Sequence, residues 1–146
     1  MDNDIRISTI GDISAFPEKT RSVLQRAIDT TANNKSMTLV LAMNYGGRAD
    51  IVRAANRYIE DHQNDEKIPP IDEETFGSYL YTSEFPEIDL RIRTSLDYRL
   101  SNFLLWQLSY SELYFTDVHW PKFTADEFEK AVNEFYKRNR RFGGLG

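Results

Sequence analysis

The sequence contains no cysteine and no long apolar run. Without cysteine the chain cannot build a disulfide framework or a thiolate metal site, which is consistent with a reducing cytoplasm. No apolar stretch approaches the roughly 18 residues that a membrane-spanning helix needs, and nothing resembles a signal peptide. We therefore expect a soluble chain.

The sequence also lacks an excess of positive charge. Its 18 Lys and Arg residues are outnumbered by 23 Asp and Glu residues, which gives a net charge of −5. Because sequence-independent binding to nucleic acid requires a basic surface, we expect no nucleic-acid partner. The two histidines, His62 and His119, have no second ligand at a recognisable spacing, so the sequence does not indicate a zinc site.

The composition that remains is typical of a globular protein. Hydrophobic residues make up 40% of the 146 residues, enough for a real core and for a single domain over residues 1–146. Apolar periodicity and turn signals alternate strands with helices, which predicts an α/β fold with a mainly parallel sheet and flanking helices. The predicted strands are residues 4–10, 37–43, 88–92 and 112–118, and the predicted helices begin near Pro17, after residues 44–48, at Asp72, at Ser101 and at Thr124.

Four local patterns predict details of packing and capping. Residues 37–43 are almost continuously apolar, which predicts a strand covered on both faces. Asp72 is placed to cap the helix that follows it, and Thr124 with Glu127 forms a capping box. The buried stripe of the helix after residues 44–48 is expected to consist of Ile51, Val52, Ala55 and Ile59.

Two polar turns follow predicted strands. Residues 44–48 (NYGGR) contain two glycines that permit close backbone approach, and residues 93–101 concentrate arginines and hydroxyls before the apolar run at 103–108. Helix N-termini and arginine forks both suit phosphate. Ligands of parallel sheets bind beyond the carboxyl ends of strands, so the two turns would share one rim and favour a phosphorylated ligand. The alternative is an ordinary surface turn, where Arg and Ser are also common.

Six motifs occur in a specific order along the chain. They are NYGGR at 44–48, IRTS at 92–95, RLSNFLLWQ at 99–107, YFTDV at 114–118, WP at 120–121 and RRFGG at 140–144. In this order they resemble the C-terminal part of the undecaprenyl diphosphate synthases, which are the cis-prenyltransferases. The resemblance runs from about Ile5 to the end and implies a truncated cis-prenyltransferase-like fold, with residues 1–146 as one domain corresponding to that C-terminal part.

The resemblance implies both substrates and a metal. Members of that family condense isopentenyl diphosphate with an allylic diphosphate and use Mg²⁺. By resemblance, Arg93, Arg99 and Ser101 bind the diphosphate of isopentenyl diphosphate, and Glu112 helps to hold Mg²⁺. The alternative for Glu112 is an ordinary surface position.

The resemblance also implies an interface role for the tail. Arg141 and Gly143 match an Arg-x-Gly motif that reaches the partner's active site in family dimers. The alternative is a solvated basic helix end, which the helix dipole would favour.

Two departures from the family pattern stand beside these matches. Family members are longer and begin with a segment of the type HxxxxMDGNGRW, whose Asp is central to catalysis and whose backbone cradles the allylic diphosphate; these 146 residues contain no such segment. Between the two arginines, Ser95-Leu96-Asp97 stands where the family has Ser-Gly-Glu. Leu96 forbids an easy positive φ, and the Asp97 carboxylate is about one methylene shorter in reach. The half-site is therefore expected to be complete in residue type but altered in shape.

Three functions follow from the resemblance. The first is synthesis of a polyprenyl (undecaprenyl-type) diphosphate in a homodimer, or in a heteromer or split enzyme whose other chain supplies the missing segment. The second is a non-catalytic regulatory or structural subunit, and the third is an inert fragment.

Without the Asp segment we assign no catalytic residue and expect the lone chain to be inactive. We also expect it to expose a sheet edge and apolar surface. The expected location is the cytoplasm, with peripheral association at the membrane surface as an alternative.

Overall fold

The computed structural model describes residues 4–138 and contains two compact units, Met1–Phe85 and Pro86–Gly146. Each unit has a pair of parallel strands with flanking helices, so the predicted α/β class is confirmed. The single domain expected over residues 1–146 stays a prediction. Across the described residues, no helix is both long and apolar enough to cross a membrane.

The first unit is built on a parallel strand pair joined by a helix. Its elements are β1 (Ile5–Ile10), α1 (Glu18–Thr31), β2 (Met37–Ala42), α2 (Gly47–Asp61) and α3 (Glu73–Ser78). Parallel strands need a crossover connection, which α1 supplies. The buried Thr31 at the end of α1 fixes the helix to the sheet, because its hydroxyl donates to the Ala27 carbonyl at 2.8 Å and accepts from the Ile7 amide at 2.9 Å.

Each strand of this unit is followed, within two residues, by a residue with positive φ. Gly11 has φ 99°, and a Cβ atom there would collide with the carbonyl oxygen of Met43. Asn44 has φ 47°, a conformation that asparagine tolerates better than most residues. Its side-chain amide donates to the carbonyl of Asp12 at 3.2 Å. These two turns tie together the carboxyl ends of β1 and β2, from which residues 44–48 lead into α2.

The buried face of α2 differs from the predicted stripe. Val52 and Ile59 are 59% and 49% exposed, whereas the buried residues of the helix are Gly47, Asp50, Ala54 and Tyr58. Asp50 is only 1% exposed and accepts hydrogen bonds from the Tyr45 hydroxyl, the Arg53 guanidinium and the Tyr81 amide, each at 3.1 Å. The helix therefore turns a polar network inward, which an apolar periodicity cannot predict.

The prediction that β2 is covered on both faces is wrong. Among the described residues β2 pairs with β1, in a register from Ile5 opposite Met37 to Ile10 opposite Ala42. Met37 and Leu39 are 52% and 45% exposed. An apolar run makes burial favourable but does not supply the element that covers it. The expected exposure of apolar surface is confirmed for this strand.

The second unit pairs β3 (Leu90–Arg93) in parallel with β4 (Glu112–Phe115), and α4 (Ala125–Lys137) follows. Ala131 of α4 is fully buried, and Arg138 just beyond the helix donates to the Leu113 carbonyl at 2.8 Å. The capping box predicted at the start of α4 is wrong. Thr124 makes no side-chain capping bond, and Glu127 pairs with Lys130 instead.

The other predicted cap is confirmed in the first unit. The Asp72 carboxylate accepts a hydrogen bond from the Thr75 amide at 2.8 Å. This bond holds the first turn of α3, and hydrogen bonding from the Thr75 side chain and then from its amide lowers the pKa of Asp72.

The helix predicted from Ser101 is not formed. Ser101, Asn102 and Leu104 have φ of 51°, 59° and 51°, values incompatible with a right-handed helix. The segment consists of successive turns, for example one closed by the Phe103 amide donating to the Leu100 carbonyl at 3.2 Å. Its apolar pair Leu104 and Leu108 is nevertheless buried, so the pattern predicted burial correctly and backbone conformation wrongly.

Candidate functional site

An open cavity of about 490 Å³ lies at the carboxyl end of β3. Ligands of parallel sheets bind beyond this end of the strands. The cavity contains Arg93 and Ser101, two of the residues expected to bind diphosphate. Its polar lining consists of Arg91, Arg93, Thr94, Ser95, Asp97 and Ser101, and Ile92 and Phe103 are its apolar part.

The loop after β3 is fixed by backbone hydrogen bonds to the residues that follow β4. The Ser95 amide donates to the Val118 carbonyl and the Leu96 amide donates to the Thr116 carbonyl, both at 3.1 Å. Ser95 and Leu96 have φ of 69° and 56°. Leucine thus occupies a left-handed conformation that glycine would adopt without strain, at the position where the sequence departs from the family pattern.

Asp97 joins the two predicted diphosphate-binding arginines. One carboxylate oxygen accepts from Arg93 and the other pairs with Arg99, each at 2.7 Å. The hydrogen bond from Arg93, together with the charges of Arg99 and Arg93, lowers the pKa of Asp97. The carboxylate stays ionised at neutral pH and contacts the Nη2 atom of each guanidinium, so an anion that binds these arginines competes with it.

Ser101 lines the same cavity but not at a helix start. Since residues 101–110 form turns, no helix dipole supports an anion there, and this part of the predicted phosphate chemistry is wrong. What the turns do provide is proximity of the Ser101 residue to Arg93 across the cavity. The site therefore depends on arginine charge and a hydroxyl group.

Arg91 is a cavity residue that the sequence analysis missed. It is 8% exposed, donates from Nη2 to the Leu100 carbonyl at 2.9 Å, and places its guanidinium 5.8 Å from the centre of the Phe103 ring. Burial, and then the nearby charge of Arg93, lowers its pKa. The signal was present as the spacing of Arg91 and Arg93, because residues two apart on a strand share a face.

Glu112 is not brought to the cavity. In the strand register it pairs with Leu90, whereas Arg93 pairs with Phe115, and three strand residues span about 10 Å. Its carboxylate accepts from Arg138 at 3.1 Å. Among residues 4–138 no three His, Asp or Glu side chains are placed to share a metal ion. The assignment of Glu112 to the metal therefore stays a prediction.

Two further predictions lie beyond what the structure tests. Arg141 and Gly143 fall outside the described residues 4–138. The turn at 44–48 belongs to the first unit, where Arg48 is exposed in the first turn of α2. The expectation that this turn and the cavity share one rim stays a prediction.

Known proteins resemble this chain along nearly all of its length. An isoprenyl transferase of Clostridium perfringens is 44% identical over 98% of the chain, and a (2E,6E)-farnesyl-diphosphate-specific ditrans,polycis-undecaprenyl-diphosphate synthase of Photorhabdus laumondii is 46% identical over 97%. The solved structure of lavandulyl diphosphate synthase from Lavandula x intermedia, in complex with dimethylallyl diphosphate, superimposes with a TM-score of 0.94 at 39% identity over 99% of the chain.

The chain spans less than two thirds of these relatives. It covers 57% of the clostridial protein, 56% of the Photorhabdus protein and 62% of the lavender chain. The family described as "Putative undecaprenyl diphosphate synthase" matches residues 1–143. The chain therefore belongs to the undecaprenyl diphosphate synthase family, the cis-prenyltransferases.

Proposed function

We propose that this chain carries the isopentenyl diphosphate half-site of a cis-prenyltransferase and corresponds to the C-terminal part of the family. The single observation that supports this most strongly is the cavity beyond β3, where Arg93 and Ser101 lie together and Asp97 links Arg93 to Arg99. Arginine forks match phosphate oxygens geometrically, and a diphosphate offers enough oxygens for two of them.

Binding at this half-site is an exchange of anions. In the free chain Asp97 neutralises Arg93 and Arg99. A diphosphate carries more negative charge than one carboxylate and presents it over more oxygens, so it can replace Asp97 on both guanidiniums while the Ser101 hydroxyl donates one further hydrogen bond. Affinity therefore reflects the difference between the diphosphate and Asp97 as partners.

The complete reaction needs groups beyond this half-site. We propose that the allylic diphosphate is held by the family's Asp-containing segment, supplied from outside these 146 residues by a second chain or by a further part of the same polypeptide. A homodimer or heteromer in which Arg141 and Gly143 reach the partner's site belongs to the same proposal. Its product would be a polyprenyl diphosphate of the undecaprenyl type.

Magnesium is assigned no step within this chain. Mg²⁺ commonly binds one or two carboxylates together with substrate phosphates. Glu112 offers one carboxylate, but Arg138 holds it at the other end of the strand pair from Arg93. The prediction that Glu112 helps to hold Mg²⁺ can be tested by titration with isopentenyl diphosphate. The original chain and Glu112→Gln are each titrated once with Mg²⁺ and once with EDTA. A metal role requires that Mg²⁺ strengthen binding to the original chain but not to the variant.

Direct binding of isopentenyl diphosphate tests the half-site. Calorimetric titration should give a saturable signal that Arg93→Met and Arg99→Met each weaken by about tenfold or more. The matched control is Arg21→Met, because Arg21 is an exposed arginine of α1 that does not line the cavity. Equal weakening by the control would reduce the effect to net charge, and absence of binding to the original chain would refute the half-site.

A second candidate is a non-catalytic subunit of a heteromeric cis-prenyltransferase. The observation that favours it is that Asp97 forms ion pairs with both Arg93 and Arg99, next to Leu96 in a left-handed conformation. Incubation with isopentenyl and farnesyl diphosphates and Mg²⁺, with the chain alone and with a full-length family member, separates the two. A product that depends on Arg93 of this chain supports catalysis, whereas a rate that rises equally with Arg93→Met supports the subunit role. Product from the chain alone would overturn the proposal that the allylic site lies elsewhere.

A further inference from the structure

Arg91 is a buried cation with no anionic partner among residues 4–138. Its relative exposure is 8%, and its Nη1 atom is buried without a hydrogen-bond acceptor. Its hydrogen bond to protein goes to a neutral carbonyl, that of Leu100, at 2.9 Å. The neighbouring charged residue that affects it most is another cation, Arg93.

Such an arrangement is unfavourable in the free protein. A guanidinium removed from water loses hydration, and without a carboxylate nearby the protein does not restore that loss. The other arginines around the cavity differ in this respect, because Arg93 and Arg99 share Asp97. Arg91 and Arg93 line the cavity and Arg99 pairs with its one carboxylate, Asp97, so the charge at the cavity is positive in excess.

A bound anion would remove this imbalance. Arg91 and Arg93 lie on the same face of β3, two residues apart, and both line the cavity. Because Arg91 is buried, its field reaches the cavity with less solvent screening than the field of an exposed arginine. Its bond to Leu100 also holds the loop between Arg99 and Ser101, the other two proposed diphosphate ligands.

We propose that Arg91 is a positioning residue of the diphosphate cavity. Its uncompensated buried charge adds a third cation that selects a polyanionic ligand, and its hydrogen bond to Leu100 fixes the loop that carries Arg99 and Ser101. This inference rests on the proposed isopentenyl diphosphate half-site. It predicts a residue that weakens the free protein and strengthens the complex.

Two substitutions separate charge from packing. Arg91→Gln removes the charge and keeps a side-chain donor, whereas Arg91→Lys keeps the charge. Inorganic pyrophosphate is the probe, titrated calorimetrically into the purified 146-residue chain at low and at moderate salt. We expect Arg91→Gln to bind pyrophosphate about tenfold more weakly and with a shallower salt dependence, and Arg91→Lys to stay within about threefold of the original chain.

Thermal unfolding of the free variants gives the second readout. Loss of an uncompensated buried charge should leave the melting temperature of Arg91→Gln unchanged or higher. If Arg91→Gln lowers the melting temperature and leaves pyrophosphate affinity unchanged, Arg91 has only a structural role. If Arg91→Gln and Arg91→Lys lose affinity equally, the charge of Arg91 does not contribute to binding. If Arg93→Met loses pyrophosphate and Arg91→Gln does not, this inference fails while the half-site stands. If the original chain binds neither pyrophosphate nor isopentenyl diphosphate, both fail.

Discussion

Leu96 offers a direct test of the conformation of the cavity loop. Its φ of 56° lies in the left-handed region, and its side chain is one of the exposed apolar groups, with 55% of its surface accessible. The amides of Ser95 and Leu96 are bound to carbonyls of residues 118 and 116, so the surrounding structure holds this backbone in place. The perturbation is a pair of substitutions, Leu96→Ala and Leu96→Gly.

The comparison of alanine with glycine isolates the backbone term. Both variants lose the leucine side chain, so the loss of its contacts cancels between them. A left-handed L-residue costs roughly 1–2 kcal/mol, while glycine costs roughly 0.5–1 kcal/mol more unfolded-state entropy than alanine. The glycine variant should therefore be the more stable by about 0.5–1 kcal/mol, the reverse of the usual order.

Urea denaturation of the two variants measures this difference. The matched control is Leu39 of β2, which is 45% exposed and has no positive φ. There the alanine variant should be more stable than the glycine variant by about 0.5–1 kcal/mol. If Leu96→Ala proved as stable as Leu96→Gly or more so, the left-handed assignment of this loop would be refuted.

Three further predictions concern buried or paired polar groups. Because the pKa of Asp97 is lowered in the folded chain, its ion pairs stabilise the fold above the unfolded-state pKa, and this stabilisation is lost as pH falls through the folded-state pKa. Below about pH 4, acid should therefore lower the free energy of unfolding more for the original chain than for Asp97→Asn. An equal loss in both proteins would contradict this. Thr31→Val should cost about 1–3 kcal/mol in urea denaturation because it leaves the Ile7 amide without its acceptor, whereas a neutral effect would show that another group accepts it. Asp50→Asn should cost about 3 kcal/mol in the free energy of unfolding, since donors from Tyr45, Arg53 and Tyr81 converge on a carboxylate that is 1% exposed. A loss below about 1 kcal/mol would show that these hydrogen bonds contribute little to stability.

The sequence predicted local elements better than their packing. The strand at β1, the helix after Pro17 and the Asp72 cap are local events, fixed by alternation, proline geometry and a side chain that reaches its own helix. The buried face of α2 depends on tertiary partners of Asp50, among them the Tyr81 amide far along the chain. Apolar counting places an aspartate outside, because it contains no information on donors that converge from elsewhere.

The site could be predicted in composition and not in electrostatics. The motif match selected Arg93 and Ser101, which the structure places at one cavity. It could not show that Asp97 bridges two arginines, because that bridge occurs in a loop with positive φ at Ser95 and Leu96, a conformation that leucine disfavours. It also passed over Arg91, since charge on a short strand suggests an exposed face until the burial is known.

The strain at Leu96 and the charge at Asp97 should affect different properties of the chain. If anion exchange needs only a rotation of the Asp97 side chain, the backbone at residues 95–96 keeps its hydrogen bonds to Val118 and Thr116. Leu96→Gly should therefore raise stability relative to Leu96→Ala but leave pyrophosphate affinity within about threefold of the original chain, because glycine adopts the same φ. Asp97→Asn should do the opposite and strengthen pyrophosphate binding several-fold, since it removes the competing carboxylate from Arg93 and Arg99. Calorimetric titration of both variants decides the point. A large loss of affinity in Leu96→Gly would show that the loop itself moves on binding, and that anion exchange at Asp97 alone is an insufficient account of the cavity.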